Sequence, residues 1–400
     1  MKILYIDVNC KGSSTGKIVY DLYTQGMADG NETAVCYGRG PLVEEKNIFK
    51  FGLDWETKFH ALMTRVTGLT GCWSFFSTRR LLHFLDEFQP DMIHIHELHA
   101  YFVNLEPLFQ YLKERKIPVL YTLHCEFAYT GKCGYAYKCE RWQTGCGHCP
   151  SLRDYPKTLF LDFTAHMFRQ KKAQFAGLEK LIITAPSGWL ADRARQSFLK
   201  DRDIRVVHNG IDTENVFHPR PVQHLKERHG LTNEKVVLAV APDLMSARKG
   251  GRWVVKLAEA MQDKHVKFIL IGVDDLTEKF PPNVIALGRT SNQKELAEYY
   301  SLADCFVICS EKENFPTTCL EAFCCGTPVA GFATGGTAET VPAPYGLFCE
   351  YGNVDALRKA VECQLKKETL AREQIAQEGS MRFSENVMYE NYQRIYQELL

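Results

Sequence analysis

Two doubly wound α/β domains are the fold this sequence predicts, on three observations. Short apolar runs rich in β-branched residues alternate with longer helical stretches from one end to the other. The runs are continuously apolar, the pattern of parallel strands covered on both faces. At 400 residues the chain also exceeds what one core usually organises.

In order, the predicted strands of the first half are "KILYIDV", "TAVCYG", "MIHIH", "PVLYTLH", "LIITA" and "IRVVHN". Those of the second half are "VVLAVA", "VKFILIG", "VIALG", "CFVICS", "TPVAGF" and "GLFCE". The join is expected within "HNGIDTENVFHPRP", residues 208–221, which is rich in polar and turn-forming residues. That gives Rossmann-like domains over 1–214 and 215–383, with a C-terminal helix over 384–400 expected to return to the first. Parallel sheets take ligands at the carboxyl ends of their strands, so an interdomain cleft is the expected site.

Composition narrows the function. The chain is 45% hydrophobic and 24% charged, as in ordinary globular proteins. Its 48 basic and 48 acidic residues cancel, which argues against nucleic acid. No secretory signal and no apolar run of spanning length is visible, so the expected location is cytoplasmic. The 15 cysteines are then expected to be reduced, buried or metal-bound rather than cross-linked.

After the first strand comes "NCKGSSTGKIVYDLY", residues 9–23. It imitates a phosphate-binding P-loop and fails on two counts. Gly12 and Gly16 are one residue too close, and Lys17 is followed by Ile18 where a metal-binding hydroxyl belongs.

The most informative stretch is "CFVICSEKENFPTTCLEAFCCGTPVAGFATGGTAETV", residues 305–341. A strand leads through a loop carrying Glu313 into a helix stopped by Gly326 and Pro328. Glu321 lies four residues after Thr317 and so points toward the helix start. That start is a phosphate site, with Thr317 and Thr318 adding hydroxyls. Carboxylates suit hydroxyl groups and not phosphate. A pyrophosphate flanked by a ribose and a sugar meets both requirements: a sugar nucleotide. Two glutamates at this spacing are common on solvated helices; their placement between strand and glycine-stopped helix, before the "GG" at 335–336, favours the binding reading.

These residues resemble the E-x7-E region of retaining family-4 glycosyltransferases of the GT-B fold. The likeness extends to "NGIDTENVFHP", "APSGWLADR" and "YSLADCFVICS". It implies that Glu313 contacts the donor sugar and Glu321 the ribose, with Asn314 and Phe315 in the same donor loop. It also implies that Lys249 of "APDLMSARKGGRW" binds the diphosphate. The family's upstream arginine is absent, with Asp243 near its place, and Arg248 is the substitute; a solvated basic turn is the alternative. The resemblance further sets the Gly12–Gly16 turn against donor phosphates or an anionic acceptor, Gly16 letting the backbone approach.

His124 ends "YTLH", where the family places a histidine beside the donor sugar. Cys125 follows where relatives often carry aspartate, and Glu126 comes next. In "DMIHIHELH", His96 and His99 are candidates for the acceptor side, while His94 reads as a core histidine. No nucleophile–base pair stands out. The resemblance implies same-face attack without a catalytic cofactor or metal, so catalysis rests on positioning and on stabilising the leaving diphosphate.

Cys133, Cys139, Cys146 and Cys149 have the spacing Cys-x5-Cys-x6-Cys-x2-Cys. Structural zinc and free thiols are both open readings. A similar insert in exopolysaccharide-type transferases implies a brace for residues 133–149 near the acceptor.

Residues 58–88 leave two readings open as well. Leu81, Phe84, Leu85 and Phe88 form a helical stripe typical of a core face. "CWSFF", with Lys58, Arg65, Arg79 and Arg80 nearby, suits contact with an anionic membrane surface. The sequence thus leads to a metal-independent retaining hexosyltransferase. It would move sugar from a nucleotide diphosphate, UDP expected, to a glycan, with a lipid-linked intermediate of surface polysaccharide as the expected acceptor. The rival is a non-catalytic, zinc-braced module for glycan or nucleic acid.

Overall fold

A computed structural model describes residues 1–262, 264–366 and 371–400. The chain divides into two compact units, Met1–His208 with Tyr389–Leu400, and Asn209–Met388.

The first unit holds β1 (Lys2–Asp7), β2 (Glu32–Tyr37), β3 (Ile48–Lys50), β4 (Met92–Ile95), β5 (Val119–Thr122), β6 (Leu181–Ala185) and β7 (Asp203–Val206). They form one parallel sheet in the order β3-β2-β1-β4-β5-β6-β7. The second unit holds β8 (Lys235–Val240), β9 (Val266–Ile271), β10 (Val284–Leu287), β11 (Cys305–Ile308), β12 (Val329–Phe332) and β13 (Gly346–Cys349). Its parallel order is β10-β9-β8-β11-β12-β13. Every predicted strand is present, and the sheets are doubly wound as expected. The short β3 is additional: three half-buried residues at the sheet edge carry too little apolar pattern to register.

The buried strands explain their own composition. Ile3, Leu4, Ile6, Ile93, Ile95, Val119 and Ile183 are all fully enclosed, so both faces of the first sheet need apolar residues. Strand order reverses between β1 and β4, and again between β8 and β11. Loops leaving the carboxyl ends of those pairs diverge to opposite faces and leave a crevice, the usual ligand position.

Helix Glu385–Leu399 contributes its last turns to the first unit. Tyr396 bonds His94 at 2.9 Å and Tyr392 reaches Thr122 at 3.2 Å.

The 58–88 region resolves into two different faces. Leu81, Leu85 and Phe88 are buried, and Phe84 stacks on Phe49 at 5.0 Å, so that stripe is core. Helix Asp54–Thr67, by contrast, is inverted. Its buried face is polar: Glu56, Thr57, His60 and Thr64. Trp55, Phe59, Leu62 and Val66, spaced along one outward stripe, are 57%, 41%, 55% and 43% exposed. The inner polar face clamps the following connection. Glu56 accepts from the amides of Phe76 (2.8 Å) and Ser77 (2.7 Å), and His60 bonds Ser74 (2.7 Å) and the Gly71 amide (3.1 Å). Among the described residues no helix is long and apolar enough to cross a membrane.

Candidate active site

In the second unit the site is built where the strand order reverses. The loop after β8 ends at Gly250, whose φ of +74° suits glycine, and a Cβ there would come within 2.1 Å of the Cys309 carbonyl oxygen. The loop is therefore pressed against the loop after β11, and Glu311 donates its amide to the Arg248 carbonyl at 2.8 Å. That packing brings Lys249 Nζ to 2.6 Å from Glu313 Oε1, with Arg248 Nη1 3.8 Å from the same oxygen. Glu313 is buried. Lys249 is mostly covered, while Arg248 is half-exposed, where such a pair contributes less.

The double glycine fits behind Glu313. Gly335 has φ +59°, and a Cβ would meet the Glu313 carbonyl oxygen at 1.8 Å. Only glycine lets these two backbones touch. The next helix, Thr317–Cys324, starts after Pro316 without a side-chain cap. Thr317 and Thr318 are half-buried at its start, and Asn314 and Phe315 are buried just before it. One turn on, the buried Glu321 accepts from Tyr300 at 2.9 Å. Burial, then the neighbouring Glu321 carboxylate, push the Tyr300 phenol well above its ordinary range, so it stays a donor. Sequence reasoning missed Tyr300. The signal was a buried tyrosine ending the helix before β11, which needs a partner for its hydroxyl.

The opening turn satisfies several of its amides from within. Gly16 lies inside helix Ser14–Ala28, and its amide donates to the N-cap Ser13 Oγ at 3.0 Å. The amides of Lys11 and Gly12 also bond within the loop. The close approach Gly16 permits is to its own Asn9, whose carbonyl would lie 3.1 Å from an added Cβ. Asp7, which the sequence reading passed over, ties this loop to the one after β4. It accepts from Asn9 N (3.2 Å), Thr15 Oγ1 (3.1 Å) and Glu97 N (3.1 Å). Burial, then the Glu97 carboxylate, raise it to about 7.

His124 follows β5 and its Nε2 lies 2.9 Å from His96 Nδ1. Burial pushes it down to about 4, so the imidazole is neutral near pH 7. The His96 ring lies tilted against His94 at 4.1 Å between centroids, and both ring nitrogens of His94 are bonded, to Tyr396 and Thr122. His99 faces Glu97 at 3.1 Å through Nε2 and the Tyr155 hydroxyl at 3.2 Å through Nδ1. Glu126 is a brace and lies outside this group. It is fully buried, pairs with Arg193 at 2.6 Å and accepts the Ala136 amide at 2.6 Å, anchoring the cysteine-rich loop.

The four loop cysteines are free and half-buried. The Cys133 thiol hydrogen-bonds Cys149 and lowers it to about 6, and Cys146 Sγ accepts the Gly131 amide at 3.1 Å. That amide favours the thiolate a metal requires, but burial outweighs it and holds Cys146 above the ordinary thiol range. Yet among the described residues only Glu97, His99 and Cys125 bring three such donors within 4.8 Å of one another; no three of the four cysteines do.

Two doubly wound units, each with a switch point and one with a sugar-nucleotide-type constellation, define the GT-B glycosyltransferases. The chain belongs to Glycosyltransferase Family 4, which matches residues 15–215, and Glycosyl transferases group 1 matches 223–381. A protein of Escherichia coli (strain K12) assigned as the colanic acid biosynthesis glycosyl transferase WcaC is 24% identical, covering 100% of both chains. N,N'-diacetylbacillosaminyl-diphospho-undecaprenol alpha-1,3-N-acetylgalactosaminyltransferase of Campylobacter jejuni is 25% identical over 52% of this chain and 58% of its own. Among solved structures, sucrose-phosphate synthase of Thermosynechococcus elongatus superposes with a TM-score of 0.71 at 18% identity, covering 100% of this chain and 99% of that one. HepE of Anabaena, solved with UDP, gives 0.65 at 16%, covering 100% of both.

Proposed function

We propose that this glycosyltransferase takes sugar from a UDP-sugar and attaches it, with retention, to a lipid-linked intermediate of a surface polysaccharide at the cytoplasmic membrane face. One observation carries the reading: Lys249 and Glu313 are paired beside an uncapped helix start that has Glu321 buried one turn further on. Lys249, Arg248 and the amides at Thr317–Thr318 take the diphosphate, so donor binding needs no divalent ion. Glu321, held by Tyr300, takes the ribose, and Glu313 with Asn314 and Phe315 takes the sugar. Neutral His124 donates to a sugar hydroxyl. The acceptor hydroxyl attacks the anomeric carbon from the face the diphosphate leaves. Its proton passes to a donor phosphate oxygen as the carbon–oxygen bond to UDP breaks.

UDP as donor nucleotide is supported by HepE, and a diphospho-undecaprenol acceptor by the Campylobacter relative's name. That relative's alpha linkage fits retention from an α-linked donor. The inverted helix Asp54–Thr67 supports a membrane-borne acceptor. Trp55, Phe59, Leu62, Phe75 and Phe76 stand exposed, with Lys58, Arg65 and Arg79 exposed among them. Release of UDP from a panel of UDP-sugars, with the product anomer read by NMR, tests the assignment. No UDP release from any member, or a β product, overturns it.

A further inference from the structure

Outside the donor constellation, three side chains of different chemistry converge. Glu97 and His99 follow β4, and Cys125 follows β5. One donor atom from each lies within 4.8 Å of the other two. The strands are neighbours in the sheet, so the fold, and not sequence proximity, brings the thiol to the acid and the imidazole.

We infer that Glu97, His99 and Cys125 form a three-ligand site for a divalent cation of borderline softness, zinc above all. The donor set is the first argument. Thiolate, imidazole and carboxylate together suit zinc, where calcium and magnesium take only oxygen.

Shape is the second. The three side chains line a cavity of about 10 Å³, together with His96, His124, Phe127 and Ala128. That is room for about one water-sized particle. His96 lines the same cavity, is 1% exposed, and leaves Nε2 without a hydrogen-bond partner. An unsatisfied buried nitrogen is costly unless something fills the space it faces.

Support around the ligands is the third. His99 Nδ1 is held by the Tyr155 hydroxyl, so the ring is oriented with Nε2 toward Glu97. The Glu97 backbone is in turn fixed by Asp7. Metal-bound histidines commonly have their second nitrogen held in this way. Three protein ligands leave a fourth position for water or an anionic oxygen of a bound molecule. This site is separate from the four loop cysteines and independent of the donor reading.

Cadmium-113 NMR on the full chain tests it, because each sulfur ligand moves the resonance strongly downfield. With one to two equivalents of ¹¹³Cd²⁺, a resonance of a single-sulfur, mixed nitrogen–oxygen site is expected. It should vanish in Cys125→Ser and persist in Cys149→Ser. Tyr155→Phe, which leaves all three ligands in place, should weaken Zn²⁺ affinity roughly 10- to 100-fold in a chelator competition. If Cys125→Ser fails to fold, Glu97→Gln supplies the same reading. Absence of a one-sulfur resonance, or its survival in the folded ligand variants, overturns the site. So does its loss in Cys149→Ser with retention in Cys125→Ser.

Discussion

Lys249 Nζ and Glu313 Oε1 lie 2.6 Å apart, although they belong to loops of different strands. The two groups proposed for diphosphate and sugar thus neutralise each other. A carboxylate this buried without a cation would be costly, so the pair keeps the site both charged and folded. On the proposed donor placement, binding exchanges partners: diphosphate for Lys249, a sugar hydroxyl for Glu313.

That exchange separates the two glutamates. Glu321→Gln is expected to weaken UDP and whole donor alike, by roughly ten- to a hundredfold, the loss of a charge-assisted hydrogen bond. Glu313→Gln leaves Lys249 free for diphosphate, so UDP affinity should hold or improve. Turnover should instead fall, because the anomeric carbon is misplaced. Calorimetry with UDP, run with EDTA and again with Mg²⁺, paired with initial rates, distinguishes them. Equal UDP loss in both variants, or UDP affinity that collapses in EDTA, contradicts the assignment.

Glu56 should prove a stability residue. It satisfies two amides at the start of helix Phe75–Phe88 from a fully buried position. Glu56→Ala leaves those donors unpaired and is expected to cost about 2–3 kcal/mol. Urea unfolding reads this directly. A midpoint within error of the parent would mean water replaces the carboxylate.

Much of the fold and half of the site were legible because they depend on local pattern. Continuous apolar runs report sheets buried on both faces, and the strand–Glu313–helix–Glu321 order is contiguous in sequence. Contacts set by topology were not legible. Asp7 and Glu97 meet across 90 positions, and Tyr300 reaches Glu321 across 21, because adjacent strands and a packed helix bring them together. The surroundings of Gly16 were not legible for a related reason: Ser13 is an N-cap that takes the Gly16 amide. The inverted helix was half-legible, since its apolar spacing is visible and its orientation is decided by where Glu56 and His60 find partners.

The buried histidines should make the first unit acid-labile. Burial lowers His124 to about 4 and His60 to about 3, and holds His94 and His96 well below the usual value. Each folded value lies below the unfolded value of about 6.5, so the unfolded chain binds the extra protons. Stability is therefore full above about pH 6.5 and falls as pH drops toward 4. Asp7, raised to about 7, works in the opposite sense over the same window. Several histidines act against one aspartate, so the unfolded chain binds more protons and net stability falls with acid. Urea titrations at pH 7, 6 and 5 give the slope. A flat profile would show that these histidines are charged in the folded chain.

The outward stripe of helix Asp54–Thr67 predicts binding to anionic lipid. Trp55 and Phe76 touch at 5.9 Å between centroids, and Leu159, Phe160 and Leu161 are also exposed. This segment lies on the same side, since the Leu159 amide bonds the Arg65 carbonyl at 2.8 Å. A patch this apolar normally covers itself with a partner or a membrane. Lys58, Arg65 and Arg79 around it select negative charge. Vesicles containing phosphatidylglycerol should therefore sediment the protein, and uncharged phosphatidylcholine vesicles should do so weakly. Trp55→Ser with Phe59→Ser and Leu62→Ser should abolish that binding while leaving the unfolding midpoint unchanged, because none of the three packs inside. The same variant should keep its UDP affinity and lose activity on a membrane-embedded acceptor. Binding that survives the triple change, or a variant that stays dimeric where the parent does, would assign the stripe to a second copy of the chain instead.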